Sequence, residues 1–192
     1  MHTTLTRALT LAALGTVLAP LTALAQASTQ RAPETRPVGD IPDNQAFVRY
    51  TNAAGGYSLE VPEGWARAVA GTHVTFTSKL GALELWTTRA PGRGVPTPSG
   101  VRALELPALA KRLPNLKVSA VSAETLPAGP AVRARFTSTG PVNAVTGRAA
   151  VLENDLYVVP HGGQRYLLRL SAPLGSDNVD AWKQMADSLR WR

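Results

Sequence analysis

Short segments in which apolar and polar residues alternate constrain the fold of this chain more than any other feature. Residues 131–139, AVRARFTST, place an apolar side chain at every second position and two arginines between them. A period of two puts successive side chains on opposite faces of a β-strand. Similar segments bounded by glycine- and proline-rich turns are 47–51, 57–61, 72–78, 82–90, 116–124, 148–159 and 165–172. The pattern predicts seven or eight antiparallel strands, most of them joined by hairpins.

Two other segments have the spacing of amphipathic helices. In residues 101–113, VRALELPALAKRL, we expect the regular helix to begin near Glu105, with Pro107 in its first turn and Pro114 beyond its end. Later in the chain, Ser176 is the predicted N-cap of a second helix. Its apolar stripe comprises Val179, Trp182, Met185, Ala186 and Leu189. The fold class that follows is α+β, a single antiparallel twisted sheet of about seven strands flanked by helices.

Residues 1–25 have the layout of a secretory signal peptide. Arg7 precedes an apolar run, and alanines at positions 23, 25 and 27 suit a signal peptidase. The alternative is an uncleaved membrane anchor, but Pro20 interrupts a run that is barely long enough to span a bilayer. We therefore expect an exported protein, periplasmic or secreted. Residues 26–46 are polar and proline-rich, which predicts a flexible linker or a loosely docked arm before a folded domain at 47–192.

The composition excludes some kinds of chemistry and favours one class of partner. The chain has no cysteine, and therefore no disulfide, thiolate nucleophile or zinc–thiolate site. Without residues 1–25, 19 basic residues stand against 13 acidic ones. This balance favours an anionic lipid headgroup, an acidic envelope polymer or an acidic protein surface. The alternative is a set of solvated arginines with no partner. Nucleic acid is not predicted, since aromatic residues are not interleaved with the basic ones.

The sequence indicates no catalytic centre, metal site or cofactor. Gly55 and Gly56 lie between two strands with no lysine after them, which predicts a turn and not a phosphate loop. His73 falls in a predicted strand, and His161 falls in the turn PHGGQ, without a nucleophile motif. Acidic clusters at 153–155 and 175–180 supply too few convergent oxygens for calcium. A small envelope hydrolase that uses His161 with a nearby serine or acid is the alternative to a binding function.

Four arginines are the candidate partner-binding residues. Arg133 and Arg135 share one face of a predicted strand, and Arg165 and Arg169 share one face of a later strand. If the strands are neighbours, four guanidiniums line one surface, and guanidinium binds carboxylate or phosphate in a bidentate manner. The alternative is that they are solvated or paired with acidic side chains.

Several motifs occur in an order that resembles a known superfamily. They are GGYSLEVPEGW at 55–65, a middle helix, QRYLLRLSAP at 164–173, and a last helix that runs into MADSLRW at 185–191. Together they resemble the PsbP-like superfamily of α/β/α sandwich domains over about residues 47–192. The matching positions are Tyr57, Pro62, Gly64, Trp65, Gly163, Tyr166 and the run from Ser188 to Trp191.

The resemblance implies a binding or assembly accessory and not a catalyst. We therefore expect an exported, non-catalytic domain of the cell envelope that recognises an acidic protein partner or an anionic ligand. Recognition would use one sheet face and the loops 91–100 and 140–147. Electrostatic attachment to an anionic polymer or to a membrane surface is a further alternative, with at most peripheral membrane contact.

Overall fold

A computed structural model describes residues 38–89 and 94–192. The predicted signal peptide and most of the predicted linker lie outside these ranges. Within the described residues, no helix combines the length and the apolar character that crossing a membrane requires.

Strands predominate in the described part of the chain. The ten strands are β1 Phe47–Asn52, β2 Tyr57–Pro62, β3 Ala66–Ala70, β4 His73–Thr77, β5 Ala82–Arg89, β6 Lys117–Leu126, β7 Gly129–Val142, β8 Ala149–His161, β9 Gln164–Pro173 and β10 Arg190–Trp191. The three helices are α1 Pro98–Ala103, α2 Glu105–Ala110 and α3 Val179–Asp187.

Seven of these strands form one antiparallel sheet in the order β3-β4-β5-β9-β8-β7-β6. The predicted α+β class with a seven-stranded antiparallel sheet is therefore confirmed. A second, three-stranded sheet, β1-β2-β10, was not predicted. The β1–β2 hairpin is visible in the alternation, but β10 contributes only Arg190 and Trp191, paired with Ser58 and Tyr57. Two residues are too few to show a period.

The first apolar core lies between one face of the large sheet and a layer made of α3 and the small sheet. We call this side the α3 face. Leu83, Leu168 and Leu170 of the large sheet meet Leu59 of β2 and Met185 of α3 there. All five side chains have 0% exposure.

The second core lies on the opposite side, which we call the α1–α2 face. Val101 of α1 and Leu109 of α2 pack against Phe136, Leu156 and Leu167 of the sheet. Helices thus cover both faces of the large sheet, as expected for a sandwich.

A proline explains why α1 and α2 are separate helices. Its ring clashes with the carbonyl of the residue four positions earlier, and for Pro107 that residue is Ala103, the last residue of α1. α2 then begins at Glu105, as predicted, with Pro107 in its first turn. The short α1 was not predicted as a separate helix. Thr97 caps it, because its Oγ1 accepts a hydrogen bond from the Gly100 amide at 3.1 Å.

The predicted start of the last helix was wrong by two residues. Asn178, and not Ser176, precedes the first helical residue. The Ser176 hydroxyl instead donates to the carbonyls of Val38 and Pro173. Val179, predicted to be in the apolar stripe, is 64% exposed, whereas Trp182 and the rest of the stripe are buried.

Residues 38–46, the described part of the predicted linker, contact the start of α3. The Ile41 amide donates to Asn178 Oδ1 at 2.7 Å, and Asn178 Nδ2 donates to the Gly39 carbonyl at 3.0 Å. Ile41 also packs against the first core. The predicted boundary at residue 47 stays a prediction.

Candidate functional site

A cleft of about 310 Å³ opens on the α1–α2 face between α2 and β5. We call it the α2–β5 cleft. Its lining is mostly apolar: Trp86 and Thr88 of β5, Leu167 of β9, and Leu104, Ala108 and Leu109 of the α1–α2 segment, with Arg89, Glu105 and Arg112 as its charged residues. The break between α1 and α2 leaves Leu104 48% exposed at this cleft.

Glu84, two residues before Trp86 and on the same face of β5, is the centre of a charged cluster. Its carboxylate is buried and accepts hydrogen bonds from Arg169 Nε and Nη2 at 3.1 Å and from Arg112 Nη2 at 2.6 Å. His73 Nε2 lies 3.1 Å from Glu84 Oε1. Burial alone would raise the pKa of Glu84, but the charges of Arg169 and Arg112 outweigh burial and hold it below the ordinary value.

Arg112 connects this cluster to the α2–β5 cleft. Its guanidinium lies over the Trp86 ring, 5.2 Å from the ring centroid, while it donates to Glu84. A cation over an indole face is attracted by the ring quadrupole. The arginine is thereby held at the edge of the cleft with half of its side chain exposed.

A buried ion pair between Glu105 and Arg165 lies beside the cleft. Arg165 Nη1 donates to Glu105 Oε1, and the two side chains are 9% and 7% exposed. Within the described residues, Glu105 Oε2 and Arg165 Nε are buried and have no hydrogen-bond partner. Leaving buried polar atoms unsatisfied costs about 1–3 kcal/mol each. This pair is therefore incompletely satisfied, and its Glu105 member also lines the cleft.

The charged groups at the cleft and in the adjacent cluster leave an excess of positive charge. The guanidiniums of Arg89, Arg112, Arg165 and Arg169 stand against the carboxylates of Glu84 and Glu105. The α2–β5 cleft is therefore electropositive, although Glu105 lines it and Glu84 lies beside it.

The four predicted arginines do not line one surface. In the antiparallel register Arg133 pairs with Tyr157 and Arg135 with Asp155, on the α3 face. Arg165 and Arg169 flank Leu167, on the α1–α2 face. The strands are not neighbours either, since β8 lies between β7 and β9. The hypothesis of a shared arginine surface was wrong, because it required a neighbouring pair in one particular register.

Three of these arginines are occupied by acidic side chains. Arg133 donates to Asp155, Arg165 to Glu105 and Arg169 to Glu84. The fourth, Arg135, is exposed. Arg133 and Arg135 line a second cleft, of about 350 Å³, together with Glu153 and Asp155. Carboxylates there match the guanidiniums in number, so this cleft has no excess positive charge for an anion.

The two helical layers carry opposite net charge. Residues 97–113, which contain α1 and α2, have three basic residues and one acidic residue; we call them the basic layer. Residues 174–192, which contain α3 and β10, have three basic and three acidic residues, and the arm at 38–46 adds Asp40 and Asp43, so the α3 side has a net negative charge. Glu105, the single acid of the basic layer, is buried against Arg165. The exposed charges of this layer are therefore Arg102, Lys111 and Arg112.

His161 does not contact a carboxylate in the described part of the chain. Its ring stacks on Trp191, with centroids 4.1 Å apart and planes inclined by 7°, and lies 6.2 Å from the Tyr166 ring. The histidine beside a carboxylate is His73, whose Nε2 faces both Glu84 and the Thr75 hydroxyl at 3.4 Å. A nucleophile would have to meet the other ring nitrogen, and among the described residues none is hydrogen-bonded there. The geometry gives the hydrolase alternative no support.

The predicted recognition loops are only partly described. Residues 91–93 of the first loop lie outside the described ranges. Residues 140–143 and Thr146 of the second loop line a third cleft, of about 520 Å³, with Lys79 and Arg148. This cleft lies between two hairpin turns, and it contains no acidic side chain among its described lining residues.

The sequence did indicate Glu84 and Glu105, although neither was singled out. Each is an acidic residue between two leucines, in ALELW and in LELPA. Both side chains are buried in the structure, and a buried charge needs a partner. Nothing in the sequence identifies Arg169, Arg112 or Arg165 as those partners, because the pairs join residues that are 28 to 85 positions apart.

Comparison with known proteins finds similarity in structure and not in sequence. No protein-family model and no curated protein sequence matches the chain. The solution structure of cyanobacterial PsbP (CyanoP) from Synechocystis sp. PCC 6803 superposes with a TM-score of 0.57 at 16% identity, over 81% of this chain and 99% of CyanoP. The chain has the PsbP-like fold.

A second PsbP-like neighbour is the Ran-binding protein Mog1p of Saccharomyces cerevisiae. Its crystal structure gives a TM-score of 0.52 at 8% identity, over 77% of this chain and 96% of Mog1p. At such identities the likeness establishes the fold alone. The resemblance that the sequence motifs indicated is thus confirmed for the fold.

The matching positions of the PsbP-like resemblance have structural roles. Tyr57 is fully buried, with its ring at an edge-on angle to Tyr166 at 6.0 Å. The Ser188 hydroxyl accepts from the Glu60 amide at 2.7 Å and donates to the Met185 carbonyl. Trp191 Nε1 donates to the Ala128 carbonyl at 2.7 Å. These contacts join the small sheet to α3 and to the large sheet, so they explain the fold and not a binding specificity.

Proposed function

We propose that this domain is an exported, non-catalytic binding or assembly-accessory module of the cell envelope, and that its basic layer recognises an acidic surface of a protein partner. The observation that carries this proposal is the opposite charge of the two helical layers. An acidic partner is attracted to residues 97–113 and repelled by the acidic layer around α3. Such a charge distribution orients the domain during association as well as attracting the partner.

The exposed cations of the basic layer are suited to contact with a partner. Arg102 and Lys111 take part in no ion pair with the described residues. Mutating exposed charges of this kind mainly changes the association rate and its dependence on salt. These residues replace the row of Arg133, Arg135, Arg165 and Arg169 as our candidate contact residues.

Crosslinking in intact cells followed by mass spectrometry tests the proposal. The variant is Arg102→Glu with Lys111→Glu, and the control is Lys183→Glu with Arg192→Glu, which changes the charge equally on the α3 side. We expect a discrete protein partner that is retained by the wild type and the control and lost by the basic-layer variant. Loss with both variants, or with neither, would contradict the assignment to the basic layer.

Attachment to an anionic polymer or membrane surface is the competing function. It predicts that the protein is retained on polyanions or anionic vesicles. Both double variants would weaken this retention to the same extent, and the retention would fall steeply with ionic strength. A protein interface predicts a single partner at physiological salt.

The same cells test export: the proposal requires a mature chain that begins after Ala25 or Ala27 and lies outside the cytoplasmic membrane.

A further inference from the structure

We propose that the α2–β5 cleft is a binding site for a small amphipathic anion, with an apolar body, one acidic group and an N–H or O–H donor. The inference rests on the proposed binding function, because the cleft lies at the basic layer. It concerns a small molecule, however, and not the protein partner.

The apolar part of the ligand is specified by the lining of the cleft. Trp86 and Leu167 belong to the sheet, while Leu104 and Ala108 face them from the α1–α2 segment. A volume of about 310 Å³ is at the lower end of the range of small-molecule pockets. An aromatic body of two or three rings, or a short alkyl chain, is of suitable size.

The donor on the ligand is specified by Glu105. This residue lines the cleft, is only 7% exposed, and has its Oε2 atom without a partner among the described residues. Arg165 Nη1 donates to the other carboxylate oxygen, Oε1, so Oε2 is the oxygen left to accept a hydrogen bond. An N–H or O–H group that reaches Oε2 from the cleft would satisfy it, and a hydrogen bond to a charged group strengthens binding about tenfold or more.

The acidic group on the ligand is specified by Arg112 and Arg89. Both residues line the cleft. Because Arg112 is held over Trp86, a ligand ring that packs beside Trp86 would bring its anionic group close to the guanidinium. The excess of guanidinium over carboxylate in this region favours a monoanion over a neutral or cationic molecule of the same shape.

The test is a fluorescence titration of the purified domain with 8-anilinonaphthalene-1-sulfonate, a dye that has an aromatic body, a sulfonate and one N–H. Two comparison dyes each remove one feature: N-phenyl-1-naphthylamine lacks the sulfonate, and the N-methylated sulfonate lacks the N–H. We expect each to bind about tenfold more weakly, the effect of one charge-assisted hydrogen bond.

Matched variants locate the dye. Ala108→Phe fills the cleft, whereas Ala110→Phe adds the same ring on an exposed position of α2 that is not part of the cleft lining. Arg112→Ala removes the cation at the cleft, whereas Lys111→Ala removes its exposed neighbour. We expect Ala108→Phe to abolish binding and Arg112→Ala to weaken it about tenfold, with both control variants close to wild type. Circular dichroism and thermal melting show that each variant folds.

The titration separates this inference from the function proposed above. No dye binding, or equal binding by Ala108→Phe and Ala110→Phe, would overturn the cleft as a ligand site. Equal affinity for all three dyes would overturn the proposed ligand chemistry. Loss of the protein partner in cells with normal dye binding would leave the cleft site standing, since Arg102 and Lys111 do not line it.

Discussion

Glu84 contacts three basic side chains, those of Arg169, Arg112 and His73. Arg169 is only 13% exposed and donates twice to this carboxylate, so Glu84→Gln leaves a nearly buried cation without its counter-ion. Breaking a buried pair from one side costs about 3–5 kcal/mol. We expect a loss near 3 kcal/mol, since Arg169 keeps its bond to Asn154 Oδ1. Urea denaturation measures it.

The control for this prediction is Glu60→Gln. Glu60 pairs with Arg49 at 2.8 Å, but the side chains are 31% and 46% exposed. Exposed pairs contribute about 0–1 kcal/mol. A Glu84→Gln variant no less stable than Glu60→Gln would show that the Glu84 cluster does not stabilise the fold.

The same residue predicts how stability depends on pH. The pKa of Glu84 is lowered in the folded state from an ordinary value of 4.5. The folded protein therefore binds the proton less readily than the unfolded chain does. The stabilisation is complete above pH 4.5 and is lost as the pH falls through the folded-state pKa. We expect a decline in the free energy of unfolding below pH 4.5 that is shallower in Glu84→Gln; equal slopes would contradict this role.

The turn between β1 and β2, which Gly55 and Gly56 predict from the sequence, is packed so closely that position 55 has no room for a side chain. A Cβ at Gly55 would overlap the Tyr57 ring, 2.6 Å from Cδ1, and Tyr57 is fully buried. The Gly55 carbonyl also accepts from the Tyr166 hydroxyl at 2.8 Å. Gly56 has a φ of +65° but open space around it. We expect thermal melting to show that Gly55→Ala is more destabilising than Gly56→Ala, whose left-handed backbone costs about 1 kcal/mol. The reverse order would mean that Tyr57 relocates easily.

Elements were predictable where a local pattern determines them. Every alternating segment named in the sequence became a strand, because alternation reports local burial directly. β3 was missed, since all five of its residues are exposed and the sequence ARAVA has no contrast between an apolar and a polar face.

The candidate site was harder to predict than the strands. The alternation shows which side chains share a face within β7 and within β9. Whether Arg133 lies in line with Arg169 depends on the registers of the β7–β8 and β8–β9 hairpins. Those registers place Arg133 in line with Tyr157 and Leu168 instead.

The central strands of the large sheet are buried by helices or by the small sheet on both sides. β9 has nine consecutive partly or fully buried residues, from Arg165 to Pro173, whereas β3 is an exposed edge. Local opening is least costly where few apolar contacts are lost. We expect amide hydrogen exchange to be slowest in β8 and β9 and fastest in β3. Uniform exchange across the sheet would indicate that it opens only as one unit.

The pairing of β10 with β2 has a consequence for how the protein is made. Arg190 and Trp191 complete a sheet whose other two strands lie about 130 residues earlier, and Trp191 also donates to the Ala128 carbonyl. A ribosome synthesises the first hairpin long before it reaches these residues. During that interval Ser58 and Tyr57 have no third strand to pair with. The nascent chain therefore cannot complete the small sheet until synthesis has passed residue 191, although the strands of the large sheet are all made earlier.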